Sequence, residues 1–184
     1  MTSAGRSEQY LDALRREFPR LRLVDKRGDA LSLVVDRALR LVTLGGQSAY
    51  LTRYVTTMGQ TIYLPEGWAA RDDAERYCVL RHEAVHLRQS RRYGRLGMAL
   101  LYLVPLAPLG LAWGRARLEW EAYAETLRAT AEVRGLAALD APALRAHIVA
   151  QFTGPAYGWM WPFPRVVSGW FDEVVAELRR GTFP

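Results

Sequence analysis

The sequence predicts an α+β fold, with a small mixed or antiparallel sheet in the first third of the chain, a long helix carrying His82, Glu83 and His86, and further helices after it. Three observations predict it. Short apolar alternations broken by glycine and proline are confined to residues 21–64, whereas apolar residues recur at three- and four-residue spacing from about residue 72 onward. Half of the 184 residues are hydrophobic, enough to give one domain, residues 1–184, a core of its own.

A first helix is expected from a cap at Ser7 to about Phe18, with Tyr10, Leu11, Leu14 and Phe18 at helical spacing and Pro19 ending it. From Leu21 to Leu44 the pattern changes to alternation around a polar Asp25-Lys-Arg-Gly-Asp turn, which reads as two or three antiparallel strands. A further strand runs from Thr56 to Leu64, with Gly59 as a turn or bulge, and stops at Pro65-Glu-Gly. Asp72 and Asp73 then suit the cap and first turn of a helix running to about Tyr93, before Gly94.

Residues 96–114 are uncharged and apolar, bracketed by Arg95 and Arg115, and approach the roughly 20 residues that a membrane span needs. Pro105, Pro108 and Gly110 interrupt the run, so a buried hairpin, a lid over a cleft or a shallow membrane-facing loop fits it better than a span. The next helix is expected from about Leu111 or Arg115 to Arg134, closed by Gly135. A shorter one, capped around Asp140 with Pro142 in its first turn, covers about 141–152 and carries His147. After an aromatic stretch at 152–164, Val166, Val167, Trp170, Val174 and Leu178 predict a last helix over about 165–180.

Charge and cysteine usage narrow the function classes. The net charge is +6, yet the basic residues are almost all arginines interleaved with acids, so no specific nucleic-acid partner is expected. The cluster Arg88, Arg91, Arg92 and Arg95 reads as a solvated helical face. One cysteine, Cys78, and an amino-terminal stretch without an apolar signal core predict a reducing, cytoplasmic setting.

The chemistry is concentrated in His82-Glu-Ala-Val-His86. Residues four apart on a helix lie one above the other, so the two imidazoles converge on one point with Glu83 beside it. Catalytic zinc takes three protein ligands and keeps a fourth position for water, so a third ligand must come from elsewhere. On a helical wheel Glu119 falls among Ala112, Ala116, Ala122, Tyr123, Thr126 and Thr130, and a carboxylate buried there needs a cation. That cation is either the metal or an arginine such as Arg115. Zn2+ held by His82, His86 and Glu119 would supply Lewis acidity, with Glu83 as general base for an attacking water. Gln89 and Glu75, on the face of the two histidines, read either as groups that orient substrate or the metal ligands or as ordinary buried polar residues.

The stretch from Thr61-Ile-Tyr-Leu-Pro through His82-Glu-Ala-Val-His to Glu119-Trp-Glu-Ala-Tyr-Ala-Glu resembles the gluzincin branch of the zincin metallopeptidases, especially small bacterial members, over about residues 55–130. The resemblance implies a zincin-like fold, an edge strand that binds extended peptide, a motif helix at the floor of the cleft and a zinc ligand from the second helix. It leaves two registers for that ligand. Membrane CAAX-processing gluzincins have a Glu-x-x-Ala-Asp pattern matching Glu119-Trp-Glu-Ala-Tyr123, with Tyr123 where Asp would stand. Thermolysin-like members match Glu121-Ala-Tyr-Ala-Glu125 instead. The wheel favours Glu119, since Glu121 lies in the polar face with Glu125 at its edge. His147 stands as a further candidate for metal ligand or transition-state stabiliser. Metzincins fit worse, because Gln89 and Arg92 occupy the positions of their glycine and third histidine.

The expected activity is therefore zinc-dependent hydrolysis of peptide bonds in a protein or peptide substrate. The alternatives are a zincin-fold protein that binds zinc without cleaving peptides, and a peripheral membrane factor acting through residues 96–114 and the basic cluster.

Overall fold

A computed structural model describes residues 5–28, 55–103, 112–154 and 160–181. The strands expected within 30–44, the middle of the apolar run and part of the aromatic stretch lie outside the described residues. The described chain is mostly helical with a small three-stranded mixed sheet, broadly α+β. It divides into two compact units, Met1–Arg92 and Tyr93–Pro184.

In the first unit, helix α1 spans Arg6–Glu17 and strand β1 Arg22–Asp25, followed by a 3-10 turn at Lys26–Gly28. Strands β2, Thr56–Met58, and β3, Thr61–Leu64, form a hairpin. Its two-residue loop begins at Gly59, whose φ of 63° is the left-handed conformation that the primed hairpin turns require. What reads as a single strand from Thr56 is thus a turn of the chain. The sheet order is β1-β3-β2, with β1 parallel to β3 and β2 antiparallel to it.

Ser7 does not cap α1. Gly5 is the N-cap residue, and the acceptor comes from far along the chain: Asp73 takes hydrogen bonds from the Arg6 N–H (2.8 Å), the Ser7 N–H (3.1 Å) and the Ser7 hydroxyl (2.5 Å). A carboxylate at a helix N-terminus also meets the positive end of the helix dipole. Gly5 makes this approach possible, because a Cβ there would run into the Asp73 carboxylate.

Asp73 opens helix α2, Asp73–Leu103. Asp72 precedes it and accepts the Glu75 N–H at 2.7 Å, the local cap that the sequence predicts. Two helical stretches meet across a kink at Gly94, so the first ends after Tyr93 as the sequence predicts. Gly94 takes a non-helical conformation, φ 67° and ψ 176°, and the helix resumes to Leu103. Glycine interrupts the helix as expected, and the apolar residues beyond it re-form the ladder.

Ile62, Leu80, Ala84 and Leu87 pack with Leu14 and Phe18 as the core of this unit, with Leu23, Val55 and Leu64 against it. Burying each large aliphatic side chain contributes about 1.5–3 kcal/mol. Ala84, wholly buried, lets α2 sit close to its neighbours. Arg88, part of the basic cluster, makes a two-pronged pair with Glu17 (3.0 and 2.7 Å), and Arg91 lies 3.5 Å from the same carboxylate. This pairing holds the Glu17 carboxyl below its usual range. Lys26, the chain's one lysine, is fully buried and donates to the Thr56 hydroxyl at 3.0 Å.

In the second unit, helices α3 (Trp113–Arg134), α4 (Pro142–Thr153) and α5 (Pro164–Arg180) enclose a core that includes Trp120, Tyr123, Leu127, Ile148, Phe152, Val167 and Phe171. Trp120, Phe152 and Trp170 meet with ring centroids 5.5–6.1 Å apart. Asp140 ends a 3-10 turn at Leu136–Asp140, so Ala141 is the cap of α4, with Pro142 in the first turn. The Asp140 carboxylate pairs with Arg179 instead of capping. Leu96 and Leu100, in the last turns of α2, are exposed, and no helix among the described residues is long and apolar enough to cross a membrane.

Candidate metal centre

The local geometry of the motif follows from the way α2 is gripped. Leu80, Ala84 and Leu87 share one side of the helix, and at about 100° per residue His82, His86 and Gln89 fall on the opposite side. Glu83 stands a quarter turn from His82, toward the hairpin. There the Thr57 hydroxyl donates to Glu83 Oε2 at 2.7 Å, and the glutamate is buried. The two imidazoles stand edge to face, with centroids 5.0 Å apart and planes at 74°. His86 is buried and His82 half-buried.

Gln89 is buried as well, and its Oε1 lies 2.9 Å from His86 Nδ1. An amide oxygen can only accept, so Nδ1 carries the imidazole proton and the lone pair of the neutral ring is on Nε2. The same arrangement orients metal-bound histidines in general, because it fixes both the tautomer and the plane of the ring.

Glu119, on α3, is also buried. One ligand atom from each of His82, His86 and Glu119 lies within 4.8 Å of the other two, and this group can hold a metal ion. Two imidazoles and a carboxylate are a donor set of catalytic zinc.

Comparison of this chain with protein-family models, with curated proteins and with solved structures finds no significant match. The reading of the site therefore rests on its own chemistry.

The remaining sequence candidates are placed as follows. Glu121 is partly exposed and faces Arg117 at 3.6 Å; the group that could hold a metal includes Glu119 and not Glu121. Glu125 pairs with Arg128 at 3.3 Å. Tyr123 is buried with its ring 5.6 Å from that of Phe152, as part of the second unit's core. His147 is exposed on α4. Glu75, on the histidine face, pairs with Arg71 at 3.2 Å. Cys78 is buried and not in a disulfide.

Thr57 is the residue near the motif that sequence reasoning missed. A signal for it exists: a two-residue loop at Gly59-Gln60 pairs Thr57 with Ile62, and paired residues project to the same face of the sheet. Since Ile62 is core, Thr57 must face the helices.

Proposed function

We propose that this chain is a zinc-dependent metallopeptidase of the gluzincin kind, with a zincin-like arrangement of sheet and motif helix. The observation that carries the reading is the convergence of His82, His86 and Glu119 around one position, with a buried Glu83 beside His82 that is not part of the group. A purely structural zinc site closes its coordination with four protein ligands, and three with an adjacent carboxylate is the pattern of hydrolysis.

His82, His86 and Glu119 would hold the ion, which when bound supplies Lewis acidity to a water and to the carbonyl of the scissile amide. Glu83 accepts a proton as the water oxygen bonds to the carbonyl carbon, and then gives that proton to the nitrogen as the C–N bond breaks. A carboxylate suits both transfers because it is a base at neutral pH and, once protonated, an acid strong enough to protonate the departing amine. Thr57 holds one oxygen of Glu83, and Gln89 holds His86 in the tautomer that would leave Nε2 available to a metal.

Three variants test the reading with zinc titration and a library of quenched fluorescent peptides. Glu83→Gln should retain zinc and lose hydrolysis, by at least about a hundredfold, consistent with the worth of general base catalysis. Glu119→Ala should lose zinc, whereas Glu121→Ala should keep both zinc and turnover. Undiminished hydrolysis by Glu83→Gln would sink the peptidase mechanism. Zinc binding by the wild type without cleavage of any library member would leave a binding protein in its place.

A further inference from the structure

We propose that Thr57 is a positioning residue for Glu83, so that the β2–β3 hairpin sets where the base stands; this rests on the reading of Glu83 as general base. Three observations converge on it. The first is the bond itself, Thr57 Oγ1 to Glu83 Oε2 at 2.7 Å, with the glutamate buried. An ionised carboxylate only accepts hydrogen bonds, so the hydroxyl is the donor. Bonds to a charged group are the stronger kind, and burial keeps water from replacing this one.

The second is that the hairpin gives the hydroxyl little freedom to be elsewhere. Thr57 pairs with Ile62, which is wholly buried, and Val55 on the same face packs against the same core. Sliding the register by one residue would turn Ile62 out of the core, so the core that fixes the sheet also fixes Thr57. Gly59, in the left-handed conformation, closes the loop two residues later. A β-branched side chain has few χ1 choices, which keeps the hydroxyl aimed.

The third is that helix spacing alone does not aim Glu83. His82 and His86 sit together on one side of α2, where the helix spacing alone brings them together. Glu83 is a quarter turn away, and its three χ angles give it many rotamers. A general base must stand within hydrogen-bond reach of the proton it takes, and a misplacement of an ångström costs much of the rate. The Thr57 hydroxyl supplies one such constraint from the sheet. Thr56, the adjacent residue, faces the other way and binds Lys26, so the strand divides its two threonines between the two faces of the sheet.

The experiment compares Thr57→Val, which keeps the shape and removes the donor, with Thr57→Ser, which keeps the donor. Both are measured against wild type and Glu83→Gln with the quenched fluorescent peptide that the wild type cleaves best. Zinc affinity is measured by chelator competition, and each variant is crystallised. Thr57→Val should lose about tenfold or more in kcat, the lower end of what a hydrogen bond to a charged group is worth, with KM and zinc affinity within about twofold of wild type. Thr57→Ser should recover most of that kcat. In the crystals the Glu83 carboxylate should move in Thr57→Val and stay in place in Thr57→Ser. Where valine disturbs the hairpin, Thr57→Ala makes the same comparison. Wild-type kcat in Thr57→Val, or an unmoved Glu83, would overturn the proposal. Full activity in Glu83→Gln is a different failure, that of the base itself.

Discussion

Replacing Gln89 with leucine removes the acceptor that keeps the proton of His86 on Nδ1. The two residues are 7% and 4% exposed and their polar atoms are 2.9 Å apart, so water does not readily take the place of the amide. Leaving a buried donor unsatisfied costs about 1–3 kcal/mol. In the metal-bound form His86 must keep its proton on Nδ1 while Nε2 binds, so this cost falls mainly on the bound state. In the free protein the ring can shift its proton or rotate to find another partner. The difference corresponds to a loss of roughly 10–100-fold in zinc affinity, the range typical of outer partners of a metal-binding histidine. Competition with a chromophoric chelator at pH 7.5 measures it directly. Gln89→Glu, which restores an acceptor and adds charge, should bind zinc at least as well as wild type. Zinc affinity in Gln89→Leu within about twofold of wild type would refute the reasoning, because the amide would then neither select the tautomer nor orient the ring.

Two further predictions concern the scaffold. Asp73→Ala should lower stability by about 1–2 kcal/mol, the worth of a helix cap, read as a shift in the urea midpoint and as faster amide exchange in α1. The Ser7 hydroxyl, opposed by partial desolvation and joined by the two backbone N–H groups, holds the Asp73 carboxyl below its ordinary range. Its contribution is therefore complete above the unfolded value of about 3.9 and disappears as the pH falls through the lower folded value. The stability gap between wild type and variant should be constant from pH 8 to 5 and close below pH 4, and an equal gap at pH 3 would contradict this. Gly59→Ala should cost roughly 1 kcal/mol from backbone strain alone, since its φ is 63° and nothing lies within 4 Å of an added Cβ; a calorimetric scan that matches wild type would refute it.

The parts of the site legible in the sequence are those written in local spacing. His82 and His86 are four residues apart on a helix whose cap, Asp72, is also local, and Glu119 stands out as a carboxylate among alanines and threonines. Longer-range features escaped for identifiable reasons. The cap of α1 comes from 66 residues away, and no pattern around Ser7 announces it. The role of Thr57 depends on hairpin register, which Gly59 sets only once the run from Thr56 to Leu64 is split into two strands. Gly94 does break the helix, but a glycine cannot tell whether helix resumes beyond it, and here it does. In the sheet, the parallel pairing of β1 with β3 joins segments 39 positions apart in register, beyond the reach of alternation alone.

The burial of Lys26 hides the protein's only side-chain amine from amine chemistry. The amine lies under the sheet, against Thr56, with no exposed surface. Reagents such as activated esters need an accessible, uncharged amine, and a buried one becomes available only when its surroundings open. Acylation of Lys26 would therefore report openings around Thr56, read by mass spectrometry in the peptide that carries Lys26. Since β2 bears Thr56 on one face and Thr57 on the other, the same strand that shelters the amine also holds Glu83. A lysine label would thus clock how often the support of Glu83 comes apart.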